Sequence, residues 1–293
     1  MFIDIHVHTR YADMMPTRPN GTMPYTTPEQ LIERYDAIGV EKAVLLPGIG
    51  PECAIVPQSN EEIVRIARQY EGRFIPFCNI DPRSMTNSSD APLGHLLEHY
   101  KKLGCKGLGE VCTNLPISDP RVQNLFKCCQ DTDMPLTFHL AAQIGGIYGL
   151  YDEPGLPQLE LALQKFPKLK FFGHSQTFWA EMGVLETPAD RYGYPQNPID
   201  VEGVVPKFFR RYSNLYGDLS AGSGCNAIKR DRKYGVKFLN EFQDRLFFGT
   251  DICAPTTPTP LVDYLLELKN AGEISQTVFD KIARGNAIRI LGL

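Results

Sequence analysis

The sequence predicts an α/β fold of the (β/α)8 TIM-barrel type, and three observations lead to this prediction. Short apolar strand patterns alternate with helical patterns along all 293 residues. The number of predicted strands is eight, which fits a barrel of roughly 250 residues or more. Several strands are apolar throughout, as is typical of parallel sheets with both faces covered. The strands are predicted at residues 2–8, 42–46, 73–79, 105–110, 134–139, 169–174, 214–219 and 245–250.

The first predicted strand carries two histidines near its carboxyl end. His6 and His8 are separated by one residue, so their side chains are expected on the same side of the strand. Two imidazoles that project together from a rigid element have the geometry needed to hold one metal ion. Two hydrogen-bonded core histidines are the alternative interpretation.

Helical patterns fill the intervals between the strands. The fourth of these helices follows Ser118-Asp119, and Asp119 is a good N-cap because Pro120 then occupies the first helical position. The first four helices are predicted at residues 28–38, 60–70, 92–103 and 120–132.

Four more potential metal ligands close later strands. These are Glu110, His139, His174 and Asp251. A (β/α)8 barrel places its active site at the carboxyl ends of its strands, so the fold and the site support each other. A doubly wound open sheet is the alternative, but no glycine-rich phosphate loop follows the first strand. The remaining histidines, at 95 and 99, are expected on an exposed helix face.

The composition is that of a soluble globular enzyme, with 43% hydrophobic and 22% charged residues. A net charge of −4 gives no indication of a nucleic-acid or anionic-membrane partner. No apolar run approaches the ~18–20 residues that span a bilayer. The chain starts directly in a strand without a signal-peptide pattern, so a cytoplasmic location with reduced cysteines is expected. Cys112 and Cys253 each lie two residues beyond a potential ligand and either line the site or fill the core.

The chain is expected to form one domain over residues 1–293, with two long insertions. Residues 9–27 follow the first strand, and residues 175–200 follow the sixth. Long connections at the catalytic end of a barrel shape the substrate pocket or form a lid, although contacts in a homo-oligomer are the alternative. A third segment, residues 144–151, follows His139 and contains glycines that permit movement and tyrosines that stack on rings.

Taken together, these motifs resemble the amidohydrolase superfamily, in particular its branch of 2-pyrone dicarboxylate lactonase-like and carboxymuconate-semialdehyde decarboxylase-like enzymes. The resemblance covers the whole chain and is carried by the following motifs: Ile5-His6-Val7-His8, His139, Gly173-His174, Phe248-Gly249-Thr250-Asp251 and Gly285-Asn286-Ala287. It implies a divalent metal, most readily Zn²⁺ with Mn²⁺ as the alternative, as one or two ions. It also implies His6, His8, His139 and Asp251 as ligands, with His174 as a further ligand or an acid/base.

Glu110 distinguishes the functional hypotheses. The resemblance implies that a carboxylate at this position bridges two metal ions in binuclear members, which favours hydrolysis. Decarboxylases of the branch generally bind one metal and lack the bridge. Pairing of Glu110 with Lys106 or Arg83 at the barrel rim is the structural alternative.

The first hypothesis is therefore hydrolysis of a small lactone, amide or ester by a metal-activated water. Asp251 would transfer the proton, and His174 would stabilise the oxyanion or bind a second metal. The second hypothesis is non-oxidative decarboxylation of an aromatic or unsaturated acid, with His174 protonating the carbon. An inert scaffold is a third, which the complete ligand set disfavours. Four arginines are candidates to bind a substrate carboxylate: Arg10, Arg18, Arg83 and Arg191.

Overall fold

The predicted alternation of strands and helices is present in the computed structural model, which describes residues 1–18, 20–54 and 56–293. Each of the eight predicted strands is observed, with ends that differ by a few residues. A further two-residue strand, β6, lies in the segment after His139 and pairs with β5. The strands are β1 (Phe2–Val7), β2 (Val40–Leu45), β3 (Phe74–Pro76), β4 (Leu108–Val111), β5 (Leu136–Ala141), β6 (Leu150–Tyr151), β7 (Phe171–His174), β8 (Leu215–Asp218) and β9 (Leu246–Phe247).

The helices begin where the sequence places capping residues. Thr27 and Gln30 form a capping box before α1, and Asp119 caps α4 by accepting a hydrogen bond from the Arg121 backbone N–H. The α-helices are α1 (Pro28–Ile38), α2 (Asn60–Gln69), α3 (Leu93–Lys102), α4 (Pro120–Asp131), α5 (Pro157–Lys165), α6 (Gln176–Ala180), α7 (Val204–Arg211), α8 (Ala221–Lys229), α9 (Arg232–Glu241), α10 (Pro260–Asn270), α11 (Gln276–Asp280) and α12 (Asn286–Leu291).

Parallel pairing joins the strands into a barrel. The ladders run in the order β1-β2-β3 and β4-β5-β7-β8-β9. Backbone hydrogen bonds between Cys78 and both Gly107 and Gly109 connect the end of β3 to β4 at 3.0 and 2.8 Å. The backbone N–H of Asp251 donates to the carbonyl of His6 at 2.8 Å, which connects the chain after β9 to β1. The ring of strands therefore closes, as the (β/α)8 prediction requires.

The barrel interior is apolar below the site. One cluster of buried side chains fills it: Ile3, Ile5, Val44, Leu46, Ile75, Phe77, Phe172, Tyr216, Phe247, Ala287 and Leu291. A larger cluster fills the layer between the strands and the surrounding helices. Above this apolar layer, the polar side chains of the site gather at the carboxyl ends of the strands.

A local irregularity in β1 determines how its histidines face. The pairing of β1 with β2 shifts register between Asp4 and Val7. Ile5 belongs to the interior cluster and Val7 to the outer one, while the ring of His6 contacts the site. The carboxylate of Asp4 accepts the backbone N–H of His6 at 2.9 Å and holds this irregular segment. The rings of His6 and His8 come together at the end of β1, with their Nε2 atoms 3.2 Å apart.

The two long connections are anchored by buried arginines. The guanidinium of Arg10 donates to the carbonyls of residues 56 and 57 at 2.6 and 3.0 Å. Arg191 donates to the carbonyl of Asp152 at 2.9 Å and lies 3.3 Å from the carboxylate of Glu181. Within the described part of the chain, no helix is long and apolar enough to cross a membrane.

Candidate metal centre

All six side chains proposed as ligands from the sequence meet at the carboxyl ends of the strands. They lie on β1 or directly after it, on β4, β5 and β7, and in the segment after β9: His6, His8, Glu110, His139, His174 and Asp251. The Nε2 atoms of His6 and His8 are 3.2 Å apart. The rings of His6 and His174 are 4.3 Å apart, and those of His139 and His174 are 5.4 Å apart. Strand ends far apart in sequence thus form one cluster.

Each of the four imidazoles has a hydrogen-bonding partner at Nδ1, and for His6, His8 and His174 that partner lies outside the six proposed ligands. The partner of His6 is the carboxylate of Asp218 at 2.6 Å, and that of His8 is the carbonyl of Leu46 at 2.9 Å. His139 is bound in the same way by the carboxylate of Glu110 at 2.6 Å and His174 by the hydroxyl of Ser220 at 3.0 Å. A hydrogen bond at one ring nitrogen fixes the ring and leaves the other nitrogen for a metal, which is the usual arrangement around metal-binding histidines.

Glu110 lies between two pairs of histidines. Its Oε2 atom is 3.6 Å from Nε2 of both His6 and His8. Its Oε1 atom is 2.6 Å from Nδ1 of His139 and 3.7 Å from Nε2 of His174. The alternative partners are engaged elsewhere, because Arg83 pairs with Asp81 and Glu52, and Lys106 donates to the carbonyl of Gly292.

Asp251 faces the same atoms from the opposite part of the barrel. Its Oδ1 atom is 3.6 Å from Nε2 of His6 and of His8, and its Oδ2 atom is 3.9 Å from Nε2 of His174. The backbone of Asp251 adopts a left-handed conformation, with φ at 54°. The Asp251 side chain is 23% exposed, whereas that of Glu110 is 8% exposed. Asp251 is therefore the carboxylate more accessible to a substrate or water.

The donor set fits a divalent cation. Ligand atoms that share one ion at about 2.1 Å lie roughly 3.0–3.5 Å apart, close to the spacing of His6, His8 and Asp251. The buried Nε2 atom of His139 has no hydrogen-bonding partner among the described residues and is left as a ligand atom. Burial lowers the pKa of His6, but the carboxylates of Asp218, Glu110 and Asp251 together hold that pKa well above its ordinary value. This excess of negative charge in a buried site favours a bound cation.

Asp218 and Ser220 contact the candidate ligands but were not among the residues that the sequence predicted. Both are fully buried. Asp218 bonds Nδ1 of His6 and lies 3.4 Å from Nδ1 of His174, which Ser220 bonds. Asp218 closes the predicted strand 214–219, so the criterion that identified Glu110 and Asp251 also applied to it. Ser220 carries no comparable signal, because a serine after a strand is commonplace.

The centre opens into a small cavity of about 110 Å³. Its wall is formed by side chains from the loops as well as the ligands, namely Tyr25, Pro47, Gly48, Cys53, Cys112, Tyr148 and Cys253. Cys112 and Cys253 thus line the site, as one of the two sequence interpretations expected. The ring of Tyr148 lies 4.7 Å from that of His139, so the segment after β5 does supply an aromatic contact.

None of the four candidate arginines lines the described part of this cavity. Arg10 and Arg191 are buried in loop anchors, and Arg83 is paired with two acids. Arg18 is exposed on the 9–27 connection. Binding of a substrate carboxylate by one of these arginines stays a prediction, but Arg10, Arg83 and Arg191 contact carbonyls or carboxylates of the chain itself away from the cavity. His95 and His99 lie exposed on α3, as expected.

A closed (β/α)8 barrel with a histidine–carboxylate cluster at its mouth defines the class of amidohydrolase-type enzymes. The chain belongs to the amidohydrolase family, because the family model described as Amidohydrolase matches residues 3–293. No curated protein sequence shows significant similarity to it.

Solved structures share the fold at low sequence identity. The uncharacterized TIM-barrel protein Bb4693 from Bordetella bronchiseptica is 18% identical with a TM-score of 0.67, covering 99% of this chain and 98% of that one. A probable 2-pyrone-4,6-dicarboxylic acid hydrolase from Acinetobacter baumannii is 12% identical with a TM-score of 0.63, covering 100% and 99%. The 5-carboxyvanillate decarboxylase from Novosphingobium aromaticivorans, complexed with manganese, is 16% identical with a TM-score of 0.66, covering 100% and 96%.

Proposed function

We propose that this protein is a metal-dependent hydrolase of a small carbonyl substrate, such as a lactone, amide or ester. The observation that carries the proposal is the position of Glu110. Its two carboxylate oxygens face different pairs of histidines, with Oε2 toward His6 and His8 and Oε1 toward His139 and His174. One carboxylate between two sets of nitrogen ligands is the arrangement expected of a bridge between two ions.

The side chains that would hold the ions divide into two groups. His6, His8 and Asp251 form the first, and His139 and His174 form the second, with Glu110 shared between them. When bound, a divalent ion polarises a carbonyl oxygen and lowers the pKa of water toward neutrality. Imidazole and carboxylate ligands suit Zn²⁺ and Mn²⁺, so the donor set is compatible with both.

Asp251 is the proton carrier in this proposal. Its carboxylate lies at the edge of the cavity and faces Nε2 of His6, His8 and His174, so a water held among these groups is within its reach. Asp251 accepts the proton of the attacking water and passes it to the leaving group as the carbonyl carbon–heteroatom bond breaks.

His174 has two alternative roles: it holds the second ion, or, with only the first ion bound, it stabilises the charge that develops on the substrate oxygen. Ser220 engages its Nδ1, and this contact fixes the ring with Nε2 facing the carboxylates of the centre. Tyr148 and Tyr25 narrow the cavity, which limits the substrate to a small molecule and reduces the water around the reacting groups.

Decarboxylation of an aromatic or unsaturated acid is the second candidate, and one contact favours it. The 2.6 Å hydrogen bond between Glu110 and Nδ1 of His139 engages Oε1, and in this alternative that oxygen orients His139 instead of binding a second ion. In that case one ion is held, and His174 delivers a proton to the carbon from which carbon dioxide departs.

The metal-to-chain ratio tests the choice between the two. Protein purified without chelator is analysed for bound metal, together with Glu110→Ala and the control Glu52→Ala, whose carboxylate pairs with Arg83 away from the ligands. A ratio near two that falls toward one only in Glu110→Ala, with turnover of lactones, amides or esters, supports hydrolysis. A ratio near one in all three proteins, with release of carbon dioxide from aromatic acids, contradicts it.

A further inference from the structure

A thiol lies beside the ligands of the proposed first ion. The Sγ atom of Cys253 is 3.6 Å from Oδ1 of Asp251, the same oxygen that faces His6 and His8. Sγ, a carboxylate oxygen of Asp251 and a ring nitrogen of His8 all lie within 4.8 Å of one another. The thiol therefore lies beside Asp251 and His8, two of the three residues proposed to hold the first ion.

The chain after β9 brings this thiol to the site. Asp251 donates its backbone N–H to the carbonyl of His6, and the carbonyl of Cys253 accepts the backbone N–H of Thr26 at 2.6 Å. The Thr26 hydroxyl donates to the same carbonyl at 3.0 Å. Cys253 is thus held on both sides, by β1 and by the end of the 9–27 connection. These hydrogen bonds to β1 and Thr26 hold Cys253 at the barrel mouth.

We infer that Cys253 is a ligand of the same ion as His6, His8 and Asp251, and that this thiolate gives the centre a preference for thiophilic metals. The inference rests on the proposed metal site. As the sulfur–metal bond forms, the thiol releases its proton to solvent, so no oxidant or further reactant is needed. Thiolate is a soft ligand that selects Zn²⁺ or Co²⁺ over Mn²⁺, which prefers oxygen ligands.

The other two thiols of the cavity provide a control and a competitor. Cys53 lines the cavity but belongs to none of the groups of potential ligands found in the described structure. Cys112 forms a separate group with Glu110 and His139, on the side of the proposed second ion. An effect specific to Cys253 is therefore distinguishable from a general effect of removing a cavity thiol.

The test is reconstitution of the metal-free protein with Co²⁺, followed by near-ultraviolet spectroscopy and metal analysis. A thiolate bound to Co²⁺ produces a ligand-to-metal charge-transfer band in this region. We expect the band in the wild-type protein, in Cys53→Ser and in Cys112→Ser, and its loss in Cys253→Ser with cobalt still bound. We also expect the preference for Zn²⁺ over Mn²⁺, measured by competition, to fall at least tenfold in Cys253→Ser.

Each other result overturns the inference in a recognisable way. Cobalt bound to the wild-type protein without the band means that Cys253 only donates a hydrogen bond to Asp251, while the metal centre itself stands. A band that survives in Cys253→Ser and disappears in Cys112→Ser assigns the thiolate to the opposite side of the site. Absence of bound cobalt in every protein, with no Zn²⁺ or Mn²⁺ bound either, contradicts the proposed function as well.

Discussion

Asp218 and His6 are joined by a 2.6 Å hydrogen bond at the closed end of the metal centre. Neither side chain has any exposed surface. The positive charge of His6 holds the pKa of Asp218 well below its ordinary value, although burial alone would raise it. Because the bond engages Nδ1 of His6, it directs Nε2 toward His8, Glu110 and Asp251. The orientation of the His6 ring on β1 thus depends on a carboxylate supplied by β8.

Replacing Asp218 with Asn is expected to weaken metal binding without unfolding the barrel. The amide keeps the volume of the carboxylate but removes the charge that fixes the tautomer and orientation of His6. Losses at such orienting partners amount to roughly 10–100-fold in metal affinity. Chelator competition measures the change, and Ser220→Ala, which removes a neutral hydrogen bond to His174, is expected to have a smaller effect. An Asp218→Asn protein with wild-type affinity would show that the pair is structural only.

Arg191 is expected to govern stability rather than substrate binding. Its guanidinium is buried beside the carboxylate of Glu181, and removing one partner of a buried pair leaves the other charge uncompensated. Arg191→Met should therefore lower the free energy of unfolding by about 3 kcal/mol. Urea denaturation measures this loss, and the double variant with Glu181→Gln should recover part of it. An unchanged unfolding free energy, accompanied by a raised KM for an anionic substrate, would restore Arg191 as a binding residue.

The ion pairs of Arg210 with Glu202 and Glu241 are expected to raise the free energy of unfolding at neutral pH but not at acid pH. The side chain of Arg210 bonds Glu202 at 3.0 Å and Glu241 at 2.9 Å. Hydrogen bonding from Arg210 lowers the pKa of Glu202 from 4.5 to about 2. Since the folded-state pKa is depressed, the contribution is complete above pH 4.5 and is lost as the pH falls toward 2.

Comparison of Arg210→Gln with the wild-type protein tests this window. The side chains of Arg210 and Glu202 are partly exposed, so we expect the two proteins to differ in unfolding free energy by only about 1 kcal/mol at pH 7. The difference should shrink between pH 4.5 and the lowest pH at which both proteins still fold. Lys207→Gln is the matched control, because Lys207 lies exposed on the same helix and forms no ion pair with the residues that the structure describes. A difference independent of pH would attribute the effect to packing.

The sequence was sufficient to predict that the candidate ligands of β1, β4, β5 and β7 meet at the barrel mouth, because each of them closes a recognisable strand pattern. A residue at the carboxyl end of a parallel strand lies at the barrel mouth, so its position in the sequence predicts its position in the fold. The same logic was available for Asp218, which ends β8. Ser220 and Tyr25 could not be found this way, because their positions depend on loop conformations that strand periodicity does not specify.

The arginine candidates show a different limit of the sequence, because none of them lines the described part of the cavity. A long side chain on a catalytic-face loop can reach either the substrate or the backbone of a neighbouring loop. The sequence does not tell which carbonyls are left without partners. The guanidinium of Arg10 donates to the carbonyls of residues 56 and 57, and that of Arg191 donates to the carbonyl of Asp152. Buried carbonyls need hydrogen-bond donors, and these arginines supply them instead of facing a ligand.

Metal removal is expected to lower the thermal stability of the protein without unfolding it. The apolar interior and the outer core do not depend on the ligands, and the four histidines keep their Nδ1 partners when the ion leaves. A ligand that binds only the folded state stabilises it by about 2.7 kcal/mol when present at 100 times its Kd. Thermal unfolding with and without chelator should therefore show a lower Tm for the metal-free protein and an unchanged far-ultraviolet spectrum.

His8→Ala should bind no metal, lose turnover, keep the folded spectrum and show no further Tm change with chelator. His99→Ala, which alters an exposed histidine on α3, should keep the full chelator response. If His8→Ala retained activity, or if its Tm still fell on chelation, His8 would be excluded as a ligand.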